Sequence, residues 1–301
     1  MSFFSFACRP AQPLRVQIRT TRFWVRQGLA LARGLALTLL ALYLLQRSLI
    51  YHPSSMSADE FEQAVRHRMG DQAQVLHPFS AIVVEPPAGN PVVATVVYFH
   101  GNAGLGGDRL LLSPSFVDRS LRLVLAEYPG YGPRPGSPSE RALVEDAKAL
   151  YARVRQQFPH EPVMLIGESL GTGVASAVAA DPGSAGPPAR LVLLPPFRSL
   201  EQTVAQSLWM LPVRHLVKDR FDVEAAVKQF HGPLAFLVAG KDEVVGANQG
   251  RELADQVRRR AVQSLAYVEL PNAGHNSWQV ALSERQWDEL LGMGLTHKAA
   301  P

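Results

Sequence analysis

The turn Gly167-Glu168-Ser169-Leu170-Gly171 constrains this chain more than any other stretch, because it joins an apolar β-forming run at 163–166 to a small-residue run at 171–180. Strand, sharp turn and helix in that order present the serine at the apex. A GxSxG turn holds its central residue at positive φ, and glycine two places before and two after lets neighbouring backbone pass close by. The plain alternative is a surface turn with a solvated serine. The strand before it and the helix after it favour a presented nucleophile.

A serine hydroxyl is a weak nucleophile until a base takes its proton, and the base needs an acid to orient it. Both residue types follow Ser169. Asp242 comes just after the apolar run 234–239, and His275 follows the last such run, 266–270, in Asn272-Ala273-Gly274-His275-Asn276. In open α/β sheets the carboxyl ends of the strands converge on one crevice, so residues far apart in sequence meet there. Asp242 has the alternative of capping the helix that begins near Ala247, and Glu243 beside it is a competing carboxylate. His275 has the alternative of a solvated loop histidine. Of the nine histidines it alone combines a preceding glycine with a place downstream of the acid.

Attack on a carbonyl creates an oxyanion that needs two N–H donors. One is expected from the backbone of Leu170, at a helix start where amides lack partners and the dipole favours negative charge. The other is expected from the loop after 92–99, which reads His100-Gly101-Asn102-Ala103-Gly104, through the Asn102 N–H. His100 reads as a structural residue holding that loop, not as a second base. This chemistry requires no metal and no organic cofactor. The sole cysteine, Cys8, excludes an intramolecular disulfide and a zinc site built on thiolates.

The expected fold class is α/β, with a mostly parallel central sheet flanked by helices. Apolar runs at 81–85, 92–99, 121–126, 163–166, 191–194, 234–239 and 266–270 alternate with helical patterns, as strands buried on both faces require. Ser137-Pro138-Ser139-Glu140 reads as a helix start, with Ser137 as cap, Pro138 in the first turn and Glu140 closing a capping box. Further helices are expected near 247–259 and 277–291. The interval 198–232 is longer than a usual connection and reads as a small helical insert, either a crossover packed on the sheet or a lid over the substrate pocket.

Residues 1–51 contain seven arginines and no acid, which accounts for more than the whole net charge of +4. The remaining chain is net acidic, so a basic face for nucleic acid is not expected. From Gly28 to Leu45 the chain is apolar apart from Arg33 and Thr38, and Ile50 and Tyr51 extend that character. We read one transmembrane helix at about 28–50, with Arg33 snorkelling to the headgroups. Arginines crowd its N-terminal side, which places the N-terminus in the cytoplasm and the bulk of the chain outside, in the periplasm if the source is bacterial. An organelle presequence and a buried amphipathic helix are the alternatives; a cleaved signal peptide lacks a small-x-small site after the apolar run. The chain thus divides into an N-terminal basic segment and anchor, 1–51, and a catalytic domain, 52–301.

Taken together, Tyr98 to Gly104 (YFHGNAG), Tyr128 to Gly132, Gly167 to Ala175 (GESLGTGVA), Pro195 to Leu200 (PPFRSL), Gly240 to Val245 (GKDEVV) and Ala273 to Asn276 resemble the α/β-hydrolase superfamily. The resemblance spans 92–278. It lies closest to a branch, often anchored by an N-terminal helix, that includes serine aminopeptidase-like hydrolases and depalmitoylating thioesterases. One departure is Glu127, where relatives often carry aspartate. The resemblance implies a serine hydrolase acting on acyl esters or thioesters of a small-molecule or acylated substrate, with Ser169, His275 and Asp242 as triad. An aminopeptidase or amidase is the alternative within enzymes, with Glu201 or Glu224 available to bind an amine. A silent binding protein on the same fold is the alternative outside them.

Overall fold

The computed structural model describes residues 14–207, 216–260 and 264–293. Strands form where aliphatic and aromatic residues predominate. An eight-stranded sheet has the order β10-β9-β8-β7-β4-β6-β3-β2, in which β2 is Ala73–Leu76, β3 Ala81–Val84, β4 Ala94–Phe99, β6 Leu121–Leu125, β7 Val163–Glu168, β8 Arg190–Leu194, β9 Leu234–Ala239 and β10 Leu265–Leu270. Neighbours from β10 to β6 are parallel, whereas β3 is antiparallel to β6, and β2 to β3. The strand β2 falls in a stretch that reads as a polar connector. Its half-exposed residues suit an edge, where one face and one side meet solvent. A separate parallel pair joins β1, His52–Pro53, to β5, Ala103–Gly104.

Period-two alternation sorts the core onto the two faces of the sheet. On one face Val97, Phe99, Leu191 and Leu193 pack with α4 (Glu140–Gln157), α5 (Leu170–Ala180), α7 (Val223–Gln229) and α8 (Ala247–Arg258). On the other, Val96, Tyr98, Val192 and Leu194 pack with α2 (Ala58–Met69), α3 (Pro114–Val117) and α10 (Glu284–Leu291). After Leu170, helix α5 is built from alanine, glycine, valine and small hydroxyl residues, nearly all of them buried. Small side chains let its backbone lie close to β7, β8 and α4.

Two helix boundaries differ from the sequence reading. The cap of α4 is Ser139, whose hydroxyl accepts from the Ala142 N–H, and not Ser137. Glu140 does not close a capping box; its carboxylate instead accepts from the Arg220 and Phe221 amides at 2.6 and 2.9 Å, a tertiary demand that local spacing does not show. The expected helix 277–291 is two, α9 (Trp278–Ala281) and α10, because Ser283 and Gln286 form a capping box that starts a new helix. Within the insert, α6 (Leu200–Ser207) is followed by residues 208–215, outside the described residues, and the expectation of a lid falls there. Helix α7 packs against α5, as a crossover does.

Helix α1 runs Leu14–Ile50, and its portion Phe23–Ile50 is long and apolar enough to cross a bilayer. It therefore starts N-terminal to the expected 28. Phe23, Trp24, Leu31, Leu37 and Leu44 along it are exposed. The chain divides into two compact units between Gln46 and Arg47.

Candidate active site

The chain leaves β4 to form β6 on one side and returns to form β7 on the other, so the β4/β7 boundary is where the winding reverses. A crevice opens at the carboxyl ends of such neighbours. Ser169 sits there with φ 51° and ψ −116°, a conformation that costs about 1–3 kcal/mol for a residue with a side chain. Surrounding bonds hold it in place: its N–H donates to Leu194 O at 2.7 Å, and its carbonyl accepts from Thr172 N at 2.9 Å and Thr172 Oγ1 at 2.6 Å. The flanking glycines are needed for close approach. A Cβ at Gly167 would lie 2.3 Å from Gly171 O, and one at Gly171 would lie 2.1 Å from Phe99 O.

His275, on the loop after β10, brings Nε2 to 2.8 Å from Ser169 Oγ and Nδ1 to 2.7 Å from Asp242 Oδ2. Both partners of the imidazole are held in turn. Asp242 lies on the loop after β9, and its Oδ1 accepts from the Val244 and Val245 N–H groups at 2.9 Å each. Burial alone would raise its carboxyl, but the His275 hydrogen bond, the imidazole charge and those two amides outweigh burial and hold it below the usual aspartate value. Glu243, the competing carboxylate, lies elsewhere: a Cβ on Gly274 would be 3.3 Å from its Oε2. An imidazole held between a hydroxyl and an ionised carboxylate can accept the hydroxyl proton and keep the resulting charge stabilised.

The loop after β4 lies against the serine, since a Cβ on Gly101 would be 3.5 Å from Ser169 Cβ. Leu170 is the first residue of α5, so its N–H has no intrahelical acceptor. His100 is fully buried, with Nδ1 2.8 Å from Gly101 O and Nε2 3.2 Å from Glu127 Oε1. A carbonyl only accepts, so Nδ1 is the donor in the contact with Gly101 O. Glu127 Oε2 also accepts from Gly106 N at 3.0 Å, which ties the far end of the loop to the same carboxyl.

Sequence reasoning missed three parts of this support. The Tyr128 hydroxyl donates to His100 O and the Tyr131 hydroxyl to Asn102 O, each at 2.8 Å. The tyrosine spacing in the Tyr128–Gly132 loop was the available signal. Beneath the elbow, Glu168 accepts from Tyr98 OH at 2.8 Å and from Arg109 Nε and Nη2 at 2.7 and 2.8 Å. Burial first, then the Glu168 charge, pushes the Tyr98 phenol well above its ordinary value, so it remains a donor. No sequence signal linked Arg109 to Glu168, which lie 59 positions apart.

Residues 90–221 match the family model described as serine aminopeptidase, S33. Among solved structures, TT1662 from Thermus thermophilus aligns with a TM-score of 0.53 at 19% identity, covering 76% of this chain and 98% of that one. The esterase Est2 of Thermogutta terrifontis aligns at 0.54 and 16% identity, covering 75% and 94%. The chain has the α/β-hydrolase fold. Curated relatives include an uncharacterized protein of Mycobacterium tuberculosis, 34% identical over 183 residues, and lysophosphatidylserine lipase ABHD12 of Danio rerio, 33% identical over 178. These alignments cover 60% and 53% of this chain. It spans 62% and 46% of the respective relatives' lengths.

Proposed function

We propose that this protein is a member of the α/β-hydrolase superfamily that hydrolyses acyl esters or thioesters through an acyl-enzyme formed on Ser169. The observation that carries the proposal is the unbroken line from Ser169 Oγ through His275 to Asp242, at 2.8 and 2.7 Å, on the carboxyl edge of the sheet. His275 takes the hydroxyl proton as Oγ attacks the carbonyl carbon, and the amides of Leu170 and Asn102 bind the oxyanion. The imidazolium then returns its proton to the leaving oxygen or sulfur, and the acyl group stays on Ser169. Water, deprotonated by the same imidazole, attacks the ester; release of the acid restores the hydroxyl.

The likeness to a lysophosphatidylserine lipase and the apolar helix Phe23–Ile50 support a lipid-like acyl group as substrate. We assign residues 1–51 to the anchor and 52–301 to catalysis, with the N-terminus cytoplasmic and the catalytic part across the membrane, on the arginine bias alone. An aminopeptidase would need a free carboxylate for the substrate amine. Glu224 is bound by Arg198 and Lys228, and Glu201 pairs with Arg220, which favours the ester reading.

The test uses the full chain in detergent, with p-nitrophenyl esters of increasing acyl length and a fluorophosphonate label. Ser169→Ala is expected to abolish labelling and to lower kcat by about 10⁴-fold or more. Hydrolysis that survives this substitution would remove Ser169 from the chemistry.

A further inference from the structure

The side chain of Asn102 is spent almost entirely on the end of helix α1 and the residues that follow it. Its Nδ2 donates to Ile50 O, and to His52 Nδ1 at 2.9 Å, while its Oδ1 accepts from His52 N at 3.3 Å. An asparagine side chain offers two N–H donors and one two-lone-pair acceptor. Three of these four positions go to Ile50 and His52, and the fourth goes to Tyr131 OH at 3.2 Å. The backbone repeats the attachment. His52 and Pro53 pair in parallel with Ala103 and Gly104, the two residues directly after Asn102. Further on, Ser54 O accepts from Gly132 N at 2.8 Å, and Met56 N donates to Gly132 O at 3.1 Å, next to the Tyr131 that holds the Asn102 carbonyl.

The same segment is pinned at its other end. Arg47 makes a two-pronged ion pair with Asp219, Nε to Oδ2 at 2.9 Å and Nη2 to Oδ1 at 3.0 Å, and the Tyr51 hydroxyl donates to Oδ2 at 3.1 Å. Asp219 and Tyr51 are buried. Asp219 is fixed to the catalytic core because the next two backbone amides, of Arg220 and Phe221, are held by the Glu140 carboxylate at the start of α4. A planar, bidentate guanidinium–carboxylate pair specifies angle as well as distance, which a loosely packed surface charge does not. The segment therefore has one rigid end at Asp219 and its other end wrapped on the loop after β4.

We propose that residues 47–56 are a positioning strap for the oxyanion loop, anchored at Asp219 and fastened through the Asn102 side chain, so that the chain leaving the membrane helix sets where the Asn102 N–H points. This rests on the reading of that N–H as an oxyanion donor. Asn102 then has two separate roles, its backbone amide toward the substrate and its side chain toward the strap. Arg47, Tyr51, His52 and Asp219 touch no substrate atom in this scheme and are positioning residues. A donor that wanders from its place fails chiefly in the transition state, because that is when the oxyanion charge exists.

The experiment compares full-length wild type with Asp219→Asn, Tyr51→Phe and Asn102→Asp, the last of which keeps the backbone N–H but removes both side-chain donors. Active sites are counted by burst titration, and kcat and KM are measured on a p-nitrophenyl ester. Exchange of the amides in 100–105 is followed by mass spectrometry. Asp219→Asn and Asn102→Asp are expected to lower kcat per titrated site by about tenfold or more, with KM within about threefold, and to speed exchange in 100–105. Asp219→Glu should recover most of the lost rate. Unchanged kcat in the titrated variants, with or without a lower Tm, overturns the proposal, as does a lower kcat without faster exchange in that loop. Should wild type show no Ser169-dependent turnover, the hydrolase reading fails; unaltered exchange in 100–105 in all three variants would then overturn the strap separately.

Discussion

At the residue scale the site depends on which group each side chain leaves charged. Burial disfavours the Asp242 carboxylate, but hydrogen bonds from His275 and two amides, with the imidazole charge, hold its carboxyl below the usual aspartate range. A carboxyl depressed on folding stabilises the native state above the unfolded-state pKa, about 4, and loses that contribution as pH falls through the lower native value. Acid titration followed by near-UV circular dichroism should therefore show Asp242→Asn losing less stability than wild type between about pH 5 and pH 2. At neutral pH the same variant is expected to lower kcat by about 10⁴-fold while leaving the fold intact, because an asparagine amide presents the wrong partner to the imidazole. A loss of less than about tenfold would mean that another acid, with Glu243 the adjacent candidate, orients His275.

At the scale of elements the strand–elbow–helix unit is the least tolerant part of the chain. Gly171 packs directly on the end of β4, and the neighbour that a Cβ would strike is the backbone carbonyl of Phe99 at 2.1 Å, which cannot turn aside like a flexible side chain. Gly171→Ala should therefore push α5 off the sheet and destabilise the protein by about 1–3 kcal/mol, measured by urea unfolding. It should also displace the Leu170 N–H and lower kcat. An alanine variant with wild-type stability and rate would show that α5 can shift without disturbing the elbow. The corrected boundaries at this scale share one cause. Ser137 and Ser139 offer equivalent local caps, and it is the engagement of Glu140 with Arg220 and Phe221, from 80 positions away, that accompanies the choice. A local pattern fixes that a helix begins nearby; a distant partner fixes the residue.

For the whole molecule, the arginine bias predicts on which side of a membrane the N-terminus lies. The sequence holds a single cysteine, Cys8, on the arginine-rich side of the apolar helix, and none in residues 52–301. If the N-terminus is cytoplasmic, a membrane-impermeant maleimide added to intact cells should leave the protein unlabelled and should label it after permeabilisation. Labelling in intact cells would reverse the proposed orientation. A cysteine introduced at exposed Val280 should give the opposite pattern.

Ser169, Asp242, His275, Leu170 and Asn102 were each legible in the sequence as candidates, because each lies within a few residues of an apolar run and short motifs encode backbone geometry locally. The same holds for the alternating strands and the apolar helix. Their meeting was not legible: only the winding of the sheet brings residues 169, 242 and 275 to one crevice. Nor were Arg109 beneath Glu168, the two tyrosines on the carbonyls of His100 and Asn102, or Asp219 gripping Arg47 and Tyr51. Those are pairings of polar groups across the fold, and a sequence records the partners without recording the distance between them. Short-range backbone preference chose the elements and the candidate site residues, and long-range packing chose what holds them still.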